Sequence, residues 1–168
     1  MTFLHADLKT PWGPIATIAR GEDDVIVGAM FGALPELISR MGSSLVDIEI
    51  RTVRALGRTS DAVSHWLDGD ANAFDALTVV QPGSDFFQKC WAVLRSIPRG
   101  EVLTYAELAA SAGSPKAVRA AGSACANNLI APFVPCHRVV RTNGEVGHYG
   151  FGSDLKYNLL VHEGVEFE

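Results

Sequence analysis

The tetrad Gln81-Pro82-Gly83-Ser84 divides the chain into two stretches with different hydrophobic periods. A Pro-Gly pair interrupts whatever element precedes it, and a serine just before an amphipathic run is a helix N-cap signal. Upstream, apolar residues come in short runs broken by turn residues, as half-buried strands require. Residues 2–9 and 14–20 flank a Pro-Trp-Gly turn and residues 25–31 follow Gly-Glu-Asp-Asp, so a small meander is expected. Residues 35–41 and 60–67 predict short helices, with 45–51 as another strand. Downstream, Phe86, Phe87, Cys90, Trp91, Val93 and Leu94 mark one side of a helix that Pro98-Arg99-Gly100 ends, and Cys90 reads as core. At 168 residues there is room for two compact units. The expectation is an α/β scaffold domain over 1–80 and a mainly α domain over 84–168.

The second stretch carries a pair of short helices. Thr104-Tyr105-Ala106-Glu107 fits a capping box, in which the threonine hydroxyl and the glutamate each satisfy a free backbone N–H. Gly113 supplies a stop, and Ser114-Pro115 reads as a second N-cap with proline in the first turn, predicting a helix over 115–125. Two helices joined by a tight glycine turn form a helix-turn-helix candidate. On the second of them Val118, Ala121 and Cys125 share one side, while Lys116, Arg119, Ser123 and Ala126 share another. Small residues around one arginine let a helix backbone approach a nucleic-acid groove closely; a tightly packed helix pair with surface charges is the plainer alternative.

Charge follows the same division. The total of -5 argues against a polyanionic partner, but residues before 85 hold six basic side chains against eleven acidic ones, and residues 86–144 hold seven against two. A basic segment of that kind can meet phosphates. No stretch reaches the 18 or so apolar residues that a membrane span needs, and His5, Asp7 and Lys9 interrupt what a secretory leader would keep apolar, so an intracellular protein is expected. Cys90, Cys125 and Cys136 make an odd set without a paired framework.

Cys136 lies beside His137 in PCHRVV, Pro135 to Val140. Four readings stand: nucleophile, metal ligand, disulfide half, or small buried side chain. Disulfide is the weakest, and no CxxC or HxxxH pair accompanies the cysteine to build a metal site. A nucleophilic thiol needs help, because only a few per cent is ionised at neutral pH. Neighbours on an extended chain point to opposite faces, so a water between Cys136 and His137 is expected, with Glu163, past a helix over 153–162, as the carboxylate that orients the imidazole.

PCHRVV, with RAAGSACANN ahead of it and GHYGFGSDLKYNLLVHEG behind, resembles the O6-alkylguanine-DNA alkyltransferase family, the methylated-DNA-protein-cysteine methyltransferases. The similarity is strong over 86–164 and faint earlier, where TPWGPIATIA is similar to the family's early hairpin. The resemblance implies an N-terminal domain with a small antiparallel sheet of ribonuclease-H-like form and a C-terminal winged helix-turn-helix. It implies direct, irreversible transfer of an alkyl group from O6-alkylguanine, with O4-alkylthymine as a further substrate, to Cys136, once per molecule and without a cofactor or metal. The partner would be double-stranded DNA carrying alkylated guanine, met by a monomer in the cytoplasm, at the nucleoid if bacterial.

Roles follow from the resemblance residue by residue. His137 would act through water as base, Glu163 would orient it, and Asn128 would hold the turn around the site. Tyr105 would crowd the 3′ phosphate and help protonate the departing guanine. Arg119 would fill the gap left by the rotated nucleotide, with Thr104, Lys116, Ser123 and Ala126 also at the DNA. Val146, Gly147, His148, Tyr149 and Gly150 would form the pocket wall, glycine letting the backbone lie against the purine. Cys125 would line the pocket or belong to the core, and Tyr149 has the same core alternative. Val139 reads as strand core and Arg138 as a surface residue or ion-pair partner.

Four positions depart from the family. Leu129 follows Asn128 where proline is usual, implying a looser turn. Cys125 replaces a larger or different side chain, His148 a small or amide residue, and Phe151 a common glycine. They bear on which alkyl groups fit. The competing readings are a lesion-recognising DNA-binding protein without chemistry and a cysteine hydrolase; the second lacks an oxyanion-hole glycine motif.

Overall fold

The alternating apolar runs of the first stretch become β1 (Thr2–Leu8), β2 (Ile15–Arg20) and β3 (Ile26–Phe31). The computed structural model describes residues 1–167. β1 and β2 pair antiparallel from Phe3 opposite Arg20 to Leu8 opposite Ile15, and β2 pairs antiparallel with β3. Between β1 and β2 the chain turns at Gly13, whose φ of 103° suits glycine, and the Thr10 hydroxyl donates to the Gly13 carbonyl at 2.6 Å.

The sheet is mixed, which corrects the antiparallel expectation. Its order is β3-β2-β1-β4, with β4 (Glu49–Thr52) parallel to β1, Phe3 opposite Ile50. Helix α1 (Leu34–Met41) and a 3₁₀ turn, Gly42–Leu45, carry the chain across the sheet after β3, so it returns in the direction of β1, as a parallel neighbour requires. That turn, and Asp47 at φ 61°, also delay the strand expected over 45–51 until Glu49. Leu37 and Met41 of α1 are buried, and Gly28 of β3 gives them room: a side chain there would meet the Met41 sulfur. Helix α2 (Arg58–Leu67) buries Trp66, whose ring lies 5.8 Å from Trp12 and 5.4 Å from Phe74. Ile15, Ile18, Ile26 and Leu37 are wholly buried, and each such side chain stabilises the fold by about 1.5–3 kcal/mol.

The edge of β3 is closed by two separate pieces of chain. Ile26 exchanges backbone bonds with Thr78 and Val80, and Ala29 with Leu129 and Ala131. By their contacts Leu129–Phe133 therefore fall with Met1–Pro82, and the remaining residues from Gly83 form a second unit. A continuous domain over 84–168 is thus interrupted for five residues, because an open strand edge is a set of unpaired N–H and C=O groups that a short extended segment can satisfy.

In the second unit α3 (Asp85–Ser96) is capped by Ser84, whose side chain accepts from the Phe87 N–H at 3.2 Å. It buries Cys90, Trp91 and Leu94. Both bonds of the capping box open α4 (Tyr105–Ser111). Thr104 ends β5 (Leu103–Thr104), which pairs in parallel with β6 (Val139–Val140). Trp91 Nε1 donates to the Ala124 carbonyl at 2.9 Å, joining α3 to α5 (Val118–Ala126). Helix α6 (Ser153–His162) completes the unit.

Helix α5 starts three residues later than expected. The Ala117 N–H bonds Ser114 O at 2.9 Å, closing a separate turn over Pro115 and Lys116, and Ala117 at φ -90°, ψ 44° then leads into the helix. The Ser-Pro pair opens that turn, not the helix. The buried face of α5 is Ala121 and Ala124, whereas Val118, on the side shared with Ala121 and Cys125, is exposed. No helix among the described residues is long and apolar enough to cross a membrane.

Candidate active site

Pro135, at φ -84° and ψ 67°, turns the chain into a single 3₁₀ turn, Cys136–Arg138, closed by the Arg138 N–H on Pro135 O at 3.0 Å. The extended backbone expected at Cys136 is corrected: the strand begins only at Val139. The thiol is buried at 8% exposure. Asn128, just past the end of α5, holds it in place. Its backbone N–H bonds Cys125 O at 3.3 Å, and Nδ2 donates to Val134 O at 2.8 Å and to Cys136 Sγ at 3.3 Å. A donor aimed at sulfur favours the thiolate over the thiol.

His137 is fully buried. Nε2 lies 2.7 Å from Glu163 Oε1, and because an ionised carboxylate only accepts, Nε2 carries the proton. Nδ1 is then the lone-pair nitrogen, buried without a hydrogen-bond partner. Glu163 caps the C-terminus of α6 and receives a second cation: Arg138 donates from Nε to Oε1 at 3.0 Å and from Nη2 to Oε2 at 2.6 Å. Burial pushes the Glu163 carboxyl up, but its pairing with His137 and with the Arg138 guanidinium outweighs that and holds the group well below the usual carboxylate range. Arg138 is 7% exposed, so of its two readings the ion pair is the observed one.

A second layer of groups surrounds the thiol. Tyr105, in the first turn of α4, has its hydroxyl pushed up to about 12 by burial, with the Cys125 and Cys136 sulfurs adding to the effect. Cys125 is half-buried, and burial followed by the nearby Cys136 raises its thiol. Lys156 of α6 is fully buried, donates from Nζ to His148 O at 3.0 Å and sits 5.8 Å from the centre of the Tyr105 ring. Burial brings its ammonium down to about 8, against the opposing pull of the Cys136 and Cys125 sulfurs. Tyr149 is buried, with its ring 6.4 Å from that of His137 and 5.1 Å from that of Phe151.

The loop residues divide. Tyr149 and the carbonyl of His148 reach this cluster, the His148 side chain is exposed, and Val146 is half-buried. Gly147 is required by its own backbone, with φ 80° and a would-be Cβ 3.1 Å from Arg141 Cγ; nothing lies within 4 Å of one at Gly150. Arg119, Ser123 and Ala126 lie exposed on α5, Lys116 is exposed in the preceding turn, and Thr104 serves as the cap of α4. A Cβ at Gly122, on α5, would lie 4.0 Å from the Tyr105 ring, an ordinary contact distance. Among the described residues no group of three His, Cys, Asp or Glu side chains is arranged to hold a metal ion.

At that turn the Leu129 N–H donates to Gln81 Oε1 at 2.8 Å, a bond proline could not make. One residue of the cluster, Lys156, and the partner of another, Arg138, escaped sequence reasoning. Lys156 recurs with Leu159, Leu160 and Glu163 at i, i+3, i+4 and i+7, and a lysine on a helix face otherwise buried was the available signal. The fork of Arg138 on Glu163 had none, because 25 positions separate the partners.

Comparison with known proteins follows the same residues. A family model described as 6-O-methylguanine DNA methyltransferase, DNA binding domain, matches residues 85–165. A methylated-DNA--protein-cysteine methyltransferase of Shigella flexneri is 40% identical across 98% of this chain and 97% of its own. One from Salmonella typhimurium is 41% identical over 64% of this chain, a match that spans 63% of that relative's length. The crystal structure of Mycobacterium tuberculosis OGT in complex with DNA superposes with a TM-score of 0.78 at 28% identity, covering 98% of this chain and 93% of that one.

Proposed function

The chain belongs to the methylated-DNA--protein-cysteine methyltransferase family, and from that premise we propose that it repairs DNA by moving an alkyl group from O6 of guanine to Cys136. The observation that carries the proposal is the relay at the thiol. Cys136 Sγ accepts from Asn128, while next to it His137 presents an unpartnered Nδ1 and gives its other nitrogen to Glu163.

The reaction is one displacement. The Cys136 proton passes through a water to His137 Nδ1, and Sγ attacks the alkyl carbon. The bond from carbon to O6 breaks, a thioether forms, and the electron pair stays on the guanine. Tyr105, whose hydroxyl is held up to about 12 and so keeps its proton even in alkaline solution, donates to the departing base, and solvent restores any proton it yields. A thioether offers no leaving group that the protein could displace, so each molecule acts once.

A base stacked in a duplex cannot present its alkyl carbon to a thiol that is 8% exposed, so the nucleotide rotates out at a cost on the order of a few kcal/mol. Helices α4 and α5 act as the winged helix-turn-helix, with Arg119 entering the vacated space and Thr104, Lys116, Ser123 and Ala126 beside it. Exposed small residues on α5 suit a narrow groove, where sequence is read poorly, as lesion search requires. Val146, Gly147, His148, Tyr149 and Gly150, with Cys125, line the site of the rotated base, and O4-alkylthymine is a secondary substrate. The residues before 81 act as a ribonuclease-H-like scaffold. The protein works as a monomer where DNA is held, at the nucleoid in a bacterium, and takes no cofactor.

The test is incubation with duplex carrying O6-methylguanine, followed by peptide mass. One methyl per molecule on the Cys136 peptide, lost in Cys136→Ser, is expected. Tight binding with an unmodified peptide would favour recognition without chemistry, and turnover of an ester would favour a hydrolase. Arg119→Ala is expected to slow repair of duplex and to leave reaction with free alkylated base intact.

A further inference from the structure

The Glu163 carboxylate, which the relay reading assigns to His137 alone, is shared with Arg138. The guanidinium grips both carboxylate oxygens, at 3.0 and 2.6 Å, and its remaining terminal nitrogen donates to Ile97 O at 2.6 Å, anchoring the fork to the exit of α3. All three side chains are buried. Bidentate contact of this kind fixes the plane of a carboxylate as well as its charge.

We infer that Arg138 is a positioning residue for the alkyl transfer: it locks Glu163 in the orientation that bonds His137 and keeps that imidazole neutral until it takes the thiol proton. This rests on the reading of Cys136 as alkyl acceptor. The reasoning is electrostatic. A buried carboxylate facing only an imidazole would draw a proton onto the ring at rest, and an imidazolium has no lone pair with which to accept another. With Arg138 paired to it, the carboxylate is already neutralised, so the resting unit of arginine, glutamate and neutral imidazole carries no net charge. The proton gained during transfer is then balanced by the thiolate formed at Cys136.

Other groups near this pair are placed differently. Cys136 shares the turn, and Lys156 of α6 is directed to His148 O. Tyr149 meets His137 edge-on, Tyr105 lies under Lys156, and Arg99 donates to the His162 carbonyl at 3.0 Å. Arg138 is the cation in direct contact with the carboxylate that His137 uses.

The experiment measures the single-turnover rate of methyl transfer to Cys136 from O6-methylguanine duplex against pH, for the full chain and three variants. Arg138→Gln removes a positive charge beside the relay. That raises the proton affinity of His137, and of the Cys136 thiol, so the acid limb should move to higher pH by about one unit. Glu163→Gln removes a negative charge and should move the limb to lower pH. Arg138→Lys keeps the charge but loses the fork, so the limb should stay while the plateau falls by about tenfold. A merely structural arginine would lower the amplitude without displacing the limb; an unmoved midpoint in Arg138→Gln overturns the inference. Should that variant fail to fold, Arg138→Lys decides, and a wild-type plateau there overturns it equally. An unmethylated Cys136 in the unaltered protein would instead remove the proposed function itself.

Discussion

Asn128 and Cys136 are joined through sulfur: Nδ2 of the amide lies 3.3 Å from Sγ and, at 2.8 Å, also serves the carbonyl of Val134 two residues before the thiol. One side chain at the exit of α5 therefore sets both the path of the acceptor turn and the electrostatics of its nucleophile. Asn128→Ala leaves the Val134 carbonyl, in a residue only 1% exposed, without this donor. A loss of about 1–3 kcal/mol in urea unfolding is expected, together with slower alkylation of Cys136 by iodoacetamide. Unchanged stability would show that the amide does not hold the turn.

Glu163 makes stability depend on acid. Its folded-state carboxyl is held below the ordinary value of 4.5, so the folded chain binds fewer protons than the unfolded one as pH falls through 4.5. The stabilisation is fully present above that pH and is lost progressively beneath it. Glu163→Gln should be less stable than the unaltered chain at pH 7, and the gap should narrow as pH drops from 5 to 3 in thermal unfolding. A constant gap across that range would contradict the assignment.

Lys156 gives the same sign in a more alkaline range. Its folded-state value of about 8 lies under the ordinary 10.5, so between those values the unfolded chain holds more protons and stability rises with pH. Lys156→Met removes the buried charge. The unaltered protein should gain on this variant by an amount on the order of 2 kcal/mol between pH 7 and pH 10. Without the ammonium on the His148 carbonyl, backbone amides over 146–151 should exchange hydrogen faster. Equal exchange in the two proteins would mean that the loop does not depend on Lys156.

Leu129 is tied to Gln81 through a backbone N–H, at 2.8 Å. Leu129→Pro, which supplies the residue usual in the family, removes that donor from Gln81, a residue 6% exposed. The variant should lose about 1–2 kcal/mol, and Gln81→Ala should lose a similar amount. The double variant should cost little more than either alone; additive losses would show that the two positions act separately.

Local signals carried much of the fold. Ser84 and the Thr104–Glu107 box start α3 and α4 as read, since a cap is a contact between residues three apart. The Ser-Pro signal before α5 was equally visible but ambiguous, because a cap can open a turn or a helix and only the Ala117 backbone decides. Parallel pairing of β4 with β1 depends on where a crossover returns, and no residue in either strand encodes that.

By itself the sequence determined the division near residue 82, the caps of α3 and α4 and the adjacent pair Cys136 and His137, since residue type and short spacing suffice for each, whereas Asn128 entered only through the family resemblance and Glu163 as a candidate carboxylate past the last helix. Only the tertiary structure decided that Arg138 shares the Glu163 carboxylate, that Lys156 is buried against the His148 carbonyl, and that Leu129–Phe133 close the edge of β3. Those are pairings between charged or backbone groups, and each offsets the cost of leaving water only where the finished packing brings its partner within hydrogen-bond reach.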